Sequence, residues 1–160
     1  MRAWLSGLLA VLAVTLARPA PAATVDTLPC HGAPSSYKLL VTTTGLRSDH
    51  GYLVANLYGP ERKKWLAENG WLAVWRDPAM RGEETMCLYL PAPGRYALVM
   101  FHDANADGDL NMGPFGPKEG FAFSNNIIPI LTAPSLSSAL FTVGPGETHV
   151  TIRLRYPPIM

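Results

Sequence analysis

GRYALVMFHDANADGDLN, residues 94–111, decides the fold because it joins an apolar run directly to a polar loop. Successive side chains of an extended chain point to opposite faces. In this run one face carries Tyr96, Leu98, Met100 and His102, and the other carries Ala97, Val99 and Phe101. Because both faces are apolar, the pattern predicts a central strand that is covered on both sides.

Further strand-like segments flank this run, and turn-forming residues separate them. The predicted strands span 37–46, 52–58, 71–75, 84–90, 95–102, 136–143 and 148–156, with the first two forming a hairpin and a weaker candidate at 121–124. One short helix or helical turn is predicted between Pro60 and Gly70, because proline suits the first helical turn and glycine ends a helix. About seven strands with one short helix predict an all-β fold, an antiparallel β-sandwich, and an up-and-down barrel is the alternative.

The first residues indicate export. Met1 and Arg2 give a positive start, residues 3–17 are almost wholly apolar, and residues 20–22 are small enough for cleavage. This pattern is typical of a secretory signal peptide, since the apolar run is shorter than the roughly 20 residues of a membrane-spanning helix. We expect a signal peptide over 1–23, an extended N-terminal arm over 24–36 and a single β-sandwich domain over 37–160. The expected location is periplasmic or secreted, with no transmembrane segment after cleavage.

Charge narrows the class of partner. The chain has 13 basic and 12 acidic residues, and two of the basic ones, Arg2 and Arg18, lie in the predicted leader. The remainder is close to neutral and offers no broad basic field for nucleic acid or anionic lipid. Nucleic acid is therefore a poor candidate partner.

The two cysteines, Cys30 and Cys87, both follow the predicted leader. An even pair in an oxidising compartment favours a disulfide, which in the chain-entropy model stabilises by roughly 4 kcal/mol for so long a loop. A redox pair, or a metal site that uses the neighbouring His31, is the alternative.

The loop that follows the central run has the spacing of a calcium site. Oxygen-bearing residues occupy every second position and Gly108 stands at the sixth, where it lets the chain bend around a cation. The expected ligands are Asp103, Asn105 and Asp107 through their side chains, Asp109 through its carbonyl, and Asn111 directly or through water. Pro114 replaces the bidentate glutamate of an EF-hand, so the expected affinity is roughly 10⁻⁴ to 10⁻³ M. The alternative is a polar loop whose Asp and Asn side chains only stabilise turns.

A second group of polar residues could carry chemistry or recognition. It comprises His102, Glu119, Ser124, Asn125 and Asn126. Such a set could build a hydrolytic site, but a scaffolding or ligand-orienting role is favoured because Ser124 lies in no nucleophile elbow. Aromatic side chains could also stack on sugars, although aromatics in strands are more often core; the candidates are Tyr52, Tyr58, Trp65, Trp71 and Trp75.

Four segments carry a resemblance to a known family: GYLVANLY (51–58), LPAPGRYA (90–97), HDANADG (102–108) and EGFAFSNN (119–126). They resemble small exported bacterial domains of unknown function, family number twenty-one forty-one, with motifs close to HDxNxNGxxD and EGxGxSN. This chain departs from the pattern at Asn111, where the family favours Asp, and at Ala122, where it favours Gly. The resemblance implies an exported β-sandwich and supplies no activity. The chain is also similar to transthyretin-like, immunoglobulin-like and B-type surface-protein sandwiches, and in the last of these similar loops bind calcium.

These observations together lead to one functional expectation. We expect an exported, non-catalytic β-sandwich whose loop 103–111 binds Ca²⁺ and whose segment 113–126, with Phe115, Phe121 and Phe123, recognises a protein or carbohydrate of the cell envelope. A hydrolase that uses His102 and Glu119, or a small-ligand carrier, is the alternative.

Overall fold

Two facing sheets form the body of the protein, as seen in a computed structural model that describes residues 29–114, 116–129 and 132–157. The predicted signal peptide and residues 24–28 of the predicted arm lie outside the described residues. The strands are β1 (Cys30–His31), β2 (Tyr37–Leu46), β3 (Tyr52–Tyr58), β4 (Ala73–Pro78), β5 (Gly82–Tyr89), β6 (Gly94–Asp103), β7 (Met112–Gly113), β8 (Gly116–Pro117), β9 (Phe121–Phe123), β10 (Phe141–Val143) and β11 (Gly146–Arg153). One 3₁₀ turn (Ser124–Asn126) and one turn of helix, α1 (Leu136–Ala139), complete the described elements.

The first sheet has the strand order β1-β5-β2-β11, and the second has the order β10-β6-β3-β4 with β9 also paired to β6. Strands β7 and β8 form a separate small hairpin. Most pairings are antiparallel, while β11 with β2 and β1 with β5 are parallel. The predicted all-β sandwich class is confirmed.

The core between the sheets is built by alternation along each strand. Leu39 and Val41 of β2 face Leu98 and Met100 of β6, and all four are fully buried. Side chains alternate along the last strand: Thr151 and Arg153 are exposed, while Ile152 and the following Leu154 are buried. The inner faces therefore pack as one apolar layer.

A second apolar cluster covers the outer face of the second sheet. Val54 and Phe101 of the two central strands pack there against Phe121 and Phe123 of β9 and against Leu136 of α1. Strand β6 is thus buried on both faces, as the sequence predicts. Loops and short elements, rather than a third sheet, supply this outer layer.

The predicted hairpin between the first two strands is wrong. β2 pairs with β5 and β11 in the first sheet, whereas β3 pairs with β4 and β6 in the second. Leu53, Val54 and Ala55 are all fully buried, so β3 needs cover on both faces and a neighbour on each edge. The central position in the covered sheet provides this, and residues 47–51 cross between the sheets.

Of the two alternatives predicted between Pro60 and Gly70, the short helix is wrong. This segment is a chain of turns in which Lys64 N–H donates to the Glu61 carbonyl and Ala67 N–H donates to that of Lys64. Leu66 and Asn69 adopt positive φ, which an α-helix does not allow. The helical turn lies instead at α1, within the predicted strand 136–143, where the Ser135 side chain caps it by accepting from Ser138 N–H.

The predicted disulfide is confirmed, and Cys30 is bonded to Cys87. The two residues lie opposite each other in the parallel pair β1–β5, so the bond ties the described part of the N-terminal arm to the sheet edge. In the part of the chain that the structure describes, no helix is long and apolar enough to cross a membrane.

Candidate functional site

The polar loop begins where β6 ends, at a fully buried residue. Asp103 has no exposed surface and pairs with Tyr52 of β3. Gly51, just before that strand, packs its backbone against the loop: it has φ of +72°, and an added Cβ would lie 1.9 Å from the Asp103 carbonyl oxygen. Only glycine fits this contact, so the start of the loop is fixed by the sheet beneath it.

The Asp103 carboxylate holds the bend of the loop. Its Oδ1 accepts from Asp107 N–H at 3.1 Å and its Oδ2 accepts from Gly108 N–H at 2.9 Å. Ala106 and Gly108, on either side of the bend, have positive φ. Each carboxylate oxygen has two lone pairs, so both oxygens of Asp103 keep one acceptor site after these bonds.

Three side chains close over the bend in a ring of hydrogen bonds. Asp107 Oδ2 accepts from the amide nitrogens of Asn105 and Asn111, each at 2.8 Å, and the Asn105 amide also donates to Asn111 Oδ1 at 3.0 Å. Asp107 Oδ1 accepts from Asp109 N–H at 3.0 Å. Three of the five predicted ligands therefore meet through their side chains, whereas Asp103 bonds to the loop backbone and Asp109 takes part through its backbone N–H.

These bonds also set the charge of the loop. Hydrogen bonds from Asn111, Asp109 and Asn105 lower the pKa of Asp107 below its ordinary value of 3.8. The side chain is therefore an anion at neutral pH, in the state that a cation requires.

Glu119 contacts the loop although it lies 15 residues after Ala104 in the sequence. Its Oε1 accepts from Ala104 N–H and its Oε2 from Asn111 N–H, both at 3.1 Å. Glu119 thus joins the two ends of the candidate cation loop. The sequence placed this residue only in the second polar group, and the structure shows that it bonds to the loop backbone.

His102 lies beneath the loop in a bonded, buried position. Its Nε2 is 2.8 Å from the His50 carbonyl, which can only accept, so Nε2 carries the proton. Its Nδ1 is 2.6 Å from the Tyr156 hydroxyl. Burial, partly offset by Arg47, raises the pKa of Tyr156, so the phenol stays protonated and can donate to Nδ1. With both ring nitrogens engaged and 1% of its surface exposed, His102 is placed to hold structure.

The remaining polar residues of the predicted second group do not join the loop. Ser124 is buried and its hydroxyl donates to the Ala139 carbonyl at 2.6 Å, while Leu98 N–H donates to it. Asn125 donates to the carbonyls of Ser138 and Leu140, and Asn126 bonds to the backbone of β11. They connect the outer layer to the sheets, so the structure separates them from His102 and Glu119.

Two predictions about aromatic residues are corrected. Phe121 and Phe123 are 5% and 6% exposed, so they belong to the core and not to a recognition face; Phe115 lies outside the described residues. Tyr58 is also buried. Tyr52 and Trp71 are exposed but lie at opposite ends of the β3–β4 pair. Tyr52 begins β3, and Trp71 precedes β4 at the other end, more than about 17 Å away along the strand. They therefore share no sugar-stacking face.

Residues outside the loop, which the sequence did not reveal, hold the loop and His102 in place. Arg76 of β4 donates to the Gly108 carbonyl at 3.1 Å, which fastens the tip of the loop to the edge strand. Tyr156 and His50 are the partners of His102. These contacts depend on which strands pair across the chain, and local spacing carries no signal for them.

The donor set fits a hard cation in part. Among the described residues no three His, Cys, Asp or Glu side chains cluster for a metal, so the candidate set combines carboxylates with the amides of Asn105 and Asn111. Those amides now point nitrogen at Asp107. A half-turn of each terminal amide exchanges nitrogen for oxygen, and would place amide oxygens beside the carboxylate, as Ca²⁺ needs.

The fold and the loop together define a small, disulfide-bonded β-sandwich with an acidic connection after its central strand. Residues 41–151 match the family model described as "Uncharacterized protein conserved in bacteria (DUF2141)", and the chain belongs to this family. No curated protein and no solved structure gives a significant match.

Proposed function

We propose that the protein is an exported, non-catalytic β-sandwich of the bacterial cell envelope whose loop 103–111 binds Ca²⁺. The observation that carries the proposal is the bend held by Asp103, with the polar side chains of Asn105, Asp107 and Asn111 converging on its outer side. Bound Ca²⁺ would replace the amide donors at Asp107 and make the loop rigid on the sandwich.

Unneutralised negative charge supports this proposal. Asp103, Asp107 and Glu119 all bond to the backbone of the loop, and in residues 29–114, 116–129 and 132–157 no Lys or Arg side chain forms an ion pair with any of them. Their partners are backbone N–H groups and amides. A divalent cation is the simplest species that would neutralise these carboxylates.

Export is supported by two independent features. The leader-like residues 1–23 have the order of charge, apolar run and small residues found in signal peptides. The bond between Cys30 and Cys87 is of the kind that persists in oxidising compartments. The alternatives draw less support, since His102 is buried with both ring nitrogens bonded and the space between the sheets is packed.

Thermal unfolding with and without Ca²⁺ tests the proposal. At a Kd of about 10⁻⁴ M, 10 mM Ca²⁺ should stabilise the fold by about 2.7 kcal/mol, which raises the melting temperature by about 5–10 °C. Mg²⁺, which demands a stricter octahedral site, should have a smaller effect.

Two variants make the test specific to the loop. Asp107→Asn should remove most of the rise, because it deletes the central charge. Asp109→Asn is the matched control: its side chain is exposed and its proposed contribution is a carbonyl, so it should keep the rise. An identical melting curve with and without Ca²⁺ in the unaltered protein would disprove calcium binding.

A further inference from the structure

A second long connection, residues 59–72, leaves the opposite end of the central strands. It runs from the end of β3 to the start of β4, whereas the acidic loop follows the end of β6. The register pairs Tyr58 with Ala97 and Tyr52 with Asp103, so the two connections are separated by about 20 Å of extended strand.

The segment is folded tightly and fastened to the body. Trp65 donates through Nε1 to the Pro134 carbonyl at 2.8 Å and packs edge-on against Tyr58. Gly70 lies against the basic run: an added Cβ there would be 2.0 Å from the Lys64 carbonyl oxygen. Leu72 N–H donates to the Leu57 carbonyl at 2.7 Å. The turn therefore brings Lys64 next to the residues that follow Gly70.

This fold puts apolar side chains into solvent. Leu66, Trp71 and Leu72 are 38%, 37% and 55% exposed. Leu66 has φ of +55°, an unfavourable conformation for a bulky side chain. Such local strain persists where the surrounding structure enforces it, and it is common at functional surfaces. Here the half-buried Trp65 next to it holds the chain, while Leu66 is exposed.

Three consecutive cations precede the first of the exposed apolar residues. Arg62, Lys63 and Lys64 are all exposed, and within the described ranges none of them forms an ion pair. The acidic residues of the segment are Glu61 and Glu68. The segment thus gathers three cations, two carboxylates and exposed Leu and Trp on a domain that has no broad basic field elsewhere.

We infer that this basic–apolar face, formed by Arg62, Lys63, Lys64, Leu66, Trp71 and Leu72, docks on an anionic lipid surface. Lys and Arg are attracted to anionic headgroups, and Trp and Leu insert at the boundary between headgroups and acyl chains. The same combination suits a flat, negatively charged lipid layer better than a neutral one. The inference relies on the proposed export only for where lipid is met, and it does not rely on calcium binding.

Vesicle sedimentation tests the inference. The full chain is expressed with its leader and recovered from the periplasm. Only preparations whose intact mass shows that the leader has been removed are used, because an apolar leader could itself bind lipid. In EDTA at low salt it should sediment with vesicles of equal parts phosphatidylglycerol and phosphatidylcholine, and not with phosphatidylcholine alone. Salt should weaken binding, because screening acts on exposed charges.

Charge and apolar variants each have a matched control. Replacing Arg62, Lys63 and Lys64 by Gln should weaken binding on the order of 100-fold, whereas replacing the exposed Arg81, Lys118 and Arg153 should not. Leu72→Ser should also weaken binding, whereas Met112→Ser, at a residue 62% exposed on the β7–β8 hairpin, should not. Unchanged urea midpoints show that the variants are folded.

Three outcomes would overturn the inference. These are no sedimentation with anionic vesicles, equal sedimentation with neutral vesicles, and equal loss in the control variants. Sedimentation velocity without lipid tests whether a second copy of the chain binds this face instead. Self-association that Leu72→Ser abolishes, together with no vesicle binding, would identify that second copy as the partner and overturn the inference.

Discussion

The acidic loop 103–119 and the basic segment 59–72 extend from opposite ends of the same strand pair and are held in opposite ways. In the acidic loop, side chains satisfy the backbone: Asp103 and Glu119 accept from four loop N–H groups. In the basic segment, the backbone satisfies itself through successive turns, and the charged side chains remain free. Side chains thus determine shape in the first region and are available for binding in the second.

Substitution at the glycine under the acidic loop should have the largest effect. Gly51→Ala combines a positive φ with a Cβ 1.9 Å from the Asp103 carbonyl oxygen, and should lower the free energy of unfolding by about 3 kcal/mol. Urea unfolding measures it. Gly82→Ala is the control, since Gly82 has φ of +95° with nothing within 4 Å; it should cost about 1 kcal/mol. Equal losses would show that the contact beneath the loop is not tight.

Truncating one side chain in each region tests the contrast directly. Asp103→Ala removes a buried carboxylate that accepts from two loop N–H groups, and should cost about 2 kcal/mol. Lys64→Ala removes an exposed side chain and should change stability by less than about 0.5 kcal/mol. Both are measured by urea unfolding. A Lys64→Ala loss as large as that of Asp103→Ala would contradict the contrast.

Of the two regions, acid should change the acidic loop, and this is the smallest of the expected effects. Asp107 has a folded pKa below its ordinary value of 3.8, so its contribution is present above that value and is lost as pH falls through the lower folded pKa. NMR titration of the Asp107 carboxyl should therefore give a midpoint below 3.8, and Asn111→Ala should move it upward. A midpoint above 3.8 in the unaltered protein would show that the ring of hydrogen bonds does not form.

The sequence alone predicted those features that depend on local alternation. The two-faced strand β6 and the loop with Asp103, Asn105 and Asp107 both follow from spacing within one segment. The disulfide followed from the compartment that the leader indicates. These features need no knowledge of the rest of the chain.

The features that the sequence did not predict depend on pairing between distant segments. The sheet crossing after β2 follows from the burial of β3 on both faces, which Phe121 and Phe123 provide from far along the chain. The turns at 61–70 replace a helix because Trp65 packs against the sheet and Gly70 meets Lys64. Arg76 reaches the acidic loop only because β4 lies beside β3.

The parallel pairing of β2 with β11 has a consequence for how the chain acquires its structure. Lys38 and Glu147, which face each other in that pair, are 109 residues apart. Because the N-terminal strand is synthesised first, β2 can pair with its second neighbour only after residues 146–153 have been made. A nascent or truncated chain ending before Gly146 would leave that edge open to intermolecular strand addition. Because this pairing joins segments so far apart in the sequence, we expect it to form late and the protein to fold slowly.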